Sequence, residues 1–188
     1  MTSIQTLTET DRRTIARWAA ACAQRVLPLF EADSPDDRVQ DAVARTRAFS
    51  NGESTAAAEI RQRLFAVKAA RTATSPAGAA AARSAAQASA VAHMGAHALG
   101  AAAYAAKAVS LANPSERNAA QKEVQWQLAH LTNDERDVLR RLPLLGTDTS
   151  GPLGPGLLTR GIVGSVIREI QAHLNGGSPE PQLAGRIS

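Results

Sequence analysis

The sequence predicts an all-α fold: a compact, single-domain bundle or array of about six to eight close-packed, alanine-rich helices. Three observations carry this. Hydrophobic residues make up 44% of the chain, and alanine is by far the commonest of them. There are three Phe, two Trp and one Tyr, too few bulky side chains to fill wide gaps, so helices must approach alanine against alanine. Cap residues and proline recur at helix-length intervals.

Taken in order, Thr8 to Thr10 cap a first helix reaching about Phe30. Ile15, Trp18, Cys22, Val26 and Leu29 recur on its buried face, and Pro28 marks a kink or the approach of its end. Ser34 is the expected N-cap of a second helix, with Pro35 at its first position and Asp36 and Asp37 in the dipole-favoured first turn. That helix runs to about Phe49 and stops at Asn51-Gly52. A third spans about Thr55 to Arg71. Ser75-Pro76 repeats the cap signature and opens an alanine-rich stretch to Leu111, too long for one helix, so a break is expected near His93 to Gly95. Asn113-Pro114 starts the next helix, through Trp126 to His130. Thr132 with Glu135 reads as a capping box for a short helix to Leu142. Pro143 to Gly156 reads as loop, and Leu157 to Leu174 as a last amphipathic helix presenting Leu158, Ile162, Val166 and Ile170. The domain is expected to span residues 1–174, with 175–188 a disordered tail. No repeat of fixed period is evident.

Composition narrows the function classes. Lys plus Arg is 21 against 17 Asp plus Glu, a net charge of +4 spread along the chain, which argues against specific nucleic-acid binding. The single cysteine, Cys22, excludes an internal disulfide and fits a reducing compartment. No signal core or membrane-spanning run is present, so the expected location is cytoplasmic, with no membrane partner.

The most informative stretch is VAHMGAHALGAAAYAAKAV. At helical spacing His93, His97, Gly100, Tyr104 and Lys107 share one stripe among alanines. Glycine in mid-stripe permits close approach of another group. The stripe is a candidate ligand- or partner-binding site; a solvated face is its plain alternative. His93 and His97 have the spacing of two ligands on one metal, with His130, Glu31, Asp33, Asp36 or Asp37 as further donors. No second ligand motif supports this and Lys107 would repel a cation, so no metal or cofactor is expected. The acids from Glu31 to Asp37 read mainly as local caps. Arg38 and Arg45 lie on one face of the second helix and pair with nearby acids or meet solvent. Trp18 and Trp126 read most simply as core anchors, with Cys22 beside Trp18. No hydrolase, protease, phosphate-loop or dinucleotide motif occurs, so no catalytic residue is assigned.

The runs WAAACAQRVLPLFEADSPDDRVQDAVARTRAFSNGE, AHMGAHALGAAAYAAKAV and WQLAHLTNDER resemble the Imm-5-like family of bacterial immunity proteins. The resemblance covers about residues 14 to 142 and leaves the C-terminal helix, about 157–174, outside it. Trp18, Cys22, Pro28, Asp37, Arg38, Arg47, Gly52, His93, His97, Tyr104, Lys107 and Trp126 match its pattern, while Phe49 stands where tryptophan is common. The resemblance implies an all-α protein that neutralises a cognate protein toxin by binding it. A basic nuclease toxin would have to meet the acids between Glu31 and Asp37. Taken with the stripe, these matches make His93, His97, Tyr104, Lys107, Trp18, Asp37, Arg38 and Trp126 the expected binding residues. A different class of function is a small-molecule binder, such as an antibiotic-sequestering self-resistance protein, with His93, His97, Tyr104 and Lys107 lining its pocket. An enzyme using His97 or Lys107 as acid-base group lacks a paired orienting residue.

Overall fold

The computed structural model describes residues 3–62 and 64–176 and is all-α over them. Helix α1 (Glu9–Glu31) starts with a reciprocal capping box: the Thr8 hydroxyl accepts from the Asp11 backbone N–H while the Asp11 carboxylate faces the Thr8 N–H. It runs three residues past Pro28 and buries Ile15, Trp18, Cys22, Val26 and Phe30. Helix α5 (Pro76–Ala90) begins on the Ser75 cap, whose hydroxyl accepts from the Gly78 N–H, with proline at the first position. Helix α6 (His97–Ala112) follows after the turns at residues 91–96, so the break expected in the alanine-rich stretch is present.

Helix α6 is the centre of the molecule. Helices α1 and α5 pack against it, as do α7 (Ala119–Ala129) and α9 (Gly161–Leu174). Its alanines at 98, 101, 102, 103, 105, 106 and 108 are buried on all sides, as a helix enclosed by neighbours requires. Small side chains bring neighbouring elements onto its backbone: Ser84 donates to the Ala101 carbonyl at 2.7 Å and Gln127 to the Ala102 carbonyl at 3.0 Å. Helix α2 (Arg38–Ser50) packs on α1 and α5. Helices α3 (Ala56–Gln62) and α4 (Leu64–Ala69) occupy the expected third helix, and α4 lies on α2 and α5. Arg63 lies outside the described residues. Helix α8 (Asn133–Arg140), with the Thr132–Glu135 capping box in place, packs on α1 and α9. A single 3-10 turn, Leu157–Thr159, leads into α9.

Three local expectations are corrected. Ser34 does not cap α2, which begins at Arg38. Its hydroxyl instead meets Thr72 Oγ1 at 2.9 Å and accepts from the Asp36 N–H, while Asp36 accepts from the Arg38 N–H. The local hydrogen bonds of Ser34 and Asp36 hold a turn where helix was expected. Asn113-Pro114 does not start α7: Asn113 caps the end of α6, its amide donating to the Val109 carbonyl, and turns fill the gap to Ala119. Trp126 is not a core anchor but half-buried at the surface. The expected tail from 175 falls, beyond Gly176, outside the described residues.

Candidate functional site

The stripe read from the sequence is divided by the break between α5 and α6. His93 sits in the connecting turns and is exposed; His97 opens α6, and Tyr104 follows two turns later, both half-buried. These three meet Gln87 of α5 around a hollow of about 360 Å³. Met94, Gly151, Pro152, Gly156, Leu157 and Leu158 complete its walls. Lys107, one turn beyond Tyr104, is half-buried and is not among the lining residues.

Gln87 organises the polar side of this hollow. Its Oε1 lies 2.8 Å from His97 Nδ1. A carboxamide oxygen only accepts, so Nδ1 carries a hydrogen toward it. Gly100 makes the geometry possible: a Cβ there would overlap Gln87 Oε1 and press on Leu158. The glycine noticed in the sequence therefore admits the Gln87 side chain. Among the described residues no carboxylate lines the hollow, and the Gln87 contact to His97 comes from a neutral amide. Such a set can hold a ligand through an imidazole, a phenol and an amide.

The opposite wall comes from the loop between α8 and α9, and Gln5 holds it in place. Gln5 is fully buried; it donates to Asp148 Oδ2 and the Ser150 carbonyl, both at 2.7 Å, and accepts from the Leu153 N–H at 2.9 Å. Its own carbonyl and that of Thr6 accept from Ala96 and Gly95, at the entrance to α6. Gly151 has φ +75°, and a Cβ there would stand 2.7 Å from Gln5 Oε1, so glycine is required twice over. Sequence reasoning missed Gln5, because one glutamine outside any periodic segment carries no signal.

The remaining candidates lie elsewhere. Trp18 is fully buried, its indole donating to the Gln127 carbonyl at 2.9 Å, and is out of a partner's reach. Trp126 stacks on His130 with ring centroids 4.0 Å apart, and the Arg25 guanidinium carbon lies 4.3 Å from its ring centroid. Arg25 in turn donates to Glu123, whose side chain is buried. Asp37 precedes α2 without capping it, and Arg38 is bound to Asp36. Arg45 pairs with Asp41 and Glu59. Asp33 accepts from the Ser75 N–H and hydroxyl, fastening the start of α5 and not the start of α2. These bonds hold the Asp33 carboxyl below the usual carboxylate range, and the Arg38 guanidinium does the same for Asp36. Complete burial, with Glu123 and Glu135 nearby, pushes the Cys22 thiol well up. No group of three or more His, Cys, Asp or Glu among the described residues is placed to hold a metal ion. No helix among them is long and apolar enough to cross a membrane.

Comparison with known proteins gives one assignment. Residues 5–134 match the family described as "Imm-5 like putative immunity protein". No curated protein and no solved structure matches the chain. The matched segment ends before the loop carrying Gly151 to Leu158, so part of the hollow's wall lies beyond it.

Proposed function

The chain belongs to the Imm-5-like immunity protein family, and on that premise we propose that it neutralises a cognate protein toxin by binding it directly, without chemistry of its own. The family match over residues 5–134 is the observation that carries this reading. A helical scaffold with buried, hydrogen-bonded helix contacts suits an inhibitor that presents a preformed surface. The test is co-expression in a sensitive host with each candidate toxin domain found encoded beside its gene, paired with calorimetry on the purified proteins. Protection together with a one-to-one complex is the expected result; absence of protection, or protection without a complex, overturns the reading.

The hollow between α5, α6 and the 146–158 loop favours a second reading, a small-molecule binder. Gln87, His93, His97 and Tyr104 would supply its polar contacts, and Leu157 and Leu158 its apolar ones. A ligand that fills it raises the thermal midpoint, and the rise keeps growing with the logarithm of ligand concentration above Kd, as mass action requires. His97→Ala removes that rise while leaving the unliganded midpoint near wild type. A rise that survives the substitution refutes this reading.

A further inference from the structure

Helix α4 carries a surface that the rest of the fold does not explain. Of the three phenylalanines, Phe30 and Phe49 are buried in the core, whereas Phe65 is 46% exposed. Leu64 and Val67 beside it are 56% and 50% exposed. The helix turns Ala66 and Ala69 inward onto α2 and α5. At about 100° per residue, Val67, Leu64, Lys68 and Phe65 then sweep an outward arc of about 160°. A chain this poor in large side chains has placed three of them on one six-residue helix, facing water. Clustered exposure of this kind marks an interaction surface, unlike single scattered apolar residues.

The charged residues that flank the patch along the chain, from Arg61 to Arg71, have one sign. Arg61 on α3, Lys68 on α4 and Arg71 just after α4 are exposed and make no ion pair among the described residues. The nearest acid on these helices, Glu59, is buried and paired with Arg45. A second copy is a poor occupant. A two-fold contact on this face would set each cationic rim against its own image. Within the chain's acidic segment, Asp33 is bound to Ser75 and Asp36 to Arg38, which leaves only Glu31 and Asp37 exposed there.

We infer that the Leu64–Phe65–Val67 face of α4, rimmed by Arg61, Lys68 and Arg71, is the docking surface for the toxin, and that the toxin meets it with an apolar centre and an acidic rim. The inference rests on the proposed immunity function. It reverses the polarity expected from the acids at Glu31 to Asp37, two of which, Asp33 and Asp36, are engaged within the fold.

The test uses the full chain and the toxin domain against which it protects in the co-expression experiment. Phe65→Asp and Val67→Ser each weaken binding by about 30-fold or more, as loss of a central contact does. The combined Arg61→Glu, Lys68→Glu and Arg71→Glu variant slows association at least about tenfold. Arg117→Glu, a single charge reversal in the α6–α7 connection, leaves both unchanged. Circular dichroism and thermal midpoints establish that each variant is folded; because α4 projects these side chains outward, unfolding of a variant would itself contradict their exposure. Wild-type binding with undiminished affinity in the α4 variants overturns the docking face and leaves the immunity function standing. Absence of any wild-type complex overturns both. A wild-type dimer in sedimentation that Phe65→Asp dissociates assigns the face to a second copy and overturns the inference.

Discussion

Arg17 of α1 clasps Glu135 of α8 through two hydrogen bonds, Nε to Oε1 at 2.7 Å and an Nη to Oε2 at 2.6 Å, across 118 positions of sequence. The pair is asymmetric: the glutamate side chain is buried, and the arginine is half in water. The same carboxylate accepts from the Thr132 N–H as part of the α8 capping box. The two partners should therefore respond differently to removal. Arg17→Met strands a buried carboxylate and is expected to destabilise by about 2–3 kcal/mol. Glu135→Gln keeps the cap, leaves no buried charge, and should lose about 1 kcal/mol. Urea denaturation of the two variants measures the order, and the reverse order refutes the assignment.

Acid should weaken the molecule in a predictable window. Asp33 is held below the usual carboxylate range by the Ser75 hydroxyl and N–H, and Asp36 by Arg38. Both carboxyls are lower in the folded chain than in the unfolded one. The stability they add is complete above the ordinary value near about pH 4 and drains away as pH falls through the folded values. Glu169, raised by burial against the opposing influence of His173, works in the other direction. Denaturation midpoints should fall steadily below about pH 4, and Asp36→Asn should flatten that fall. An unchanged acid slope in the variant would contradict the role given to Asp36.

Cys22 should report global opening. Its thiol is fully buried and pushed well up, first by burial and then by Glu123 and Glu135. The reactive thiolate is therefore both scarce and inaccessible. An aromatic disulfide reagent at mildly alkaline pH should label the native protein only at the rate of unfolding. Labelling faster than independently measured unfolding would show a local route to the sulfur.

Gly100→Ala should disturb the hollow without disturbing the fold. The added Cβ overlaps Gln87 Oε1, so the amide must swing away and release His97 Nδ1. Alanine in a helix interior gains up to about 1 kcal/mol over glycine, which offsets the local crowding. The thermal midpoint should hold, while the His97 imidazole ¹⁵N shifts move as Nδ1 loses its Gln87 partner. A wild-type-like imidazole spectrum in the variant would sever the link between Gly100 and His97.

The helices were readable because their signals are local. Thr8, Ser75 and the Thr132–Glu135 pair each satisfy N–H groups within the same turn, so the caps stand out in sequence. Alanine-faced α5 and α6 followed from the shortage of bulk. Starts were misplaced where a short polar side chain had a distant choice: Ser34 found Thr72, and Asp33 found Ser75. The hollow was half legible. His93, His97, Tyr104 and Gly100 stood out against alanine, but Gln87 and Gln5 act through tertiary contacts that no periodicity encodes. Trp126 was misread because a large aromatic side chain looks like core until its partners, Arg25 and His130, are seen at the surface. The exposed arc of α4 was invisible for a similar reason. Which apolar side chains face outward depends on how a helix is set against α2 and α5.

The bonds from Gln5 to the 148–153 loop span up to 148 positions. Contacts of such reach form late in folding, because so much chain must be ordered before they close. Helices α5 and α6, adjacent in sequence, can associate well before that. The hollow is then the last region to be completed as the protein assembles. The Leu153 amide, bonded across that span to a fully buried partner, therefore gauges when the hollow closes during refolding.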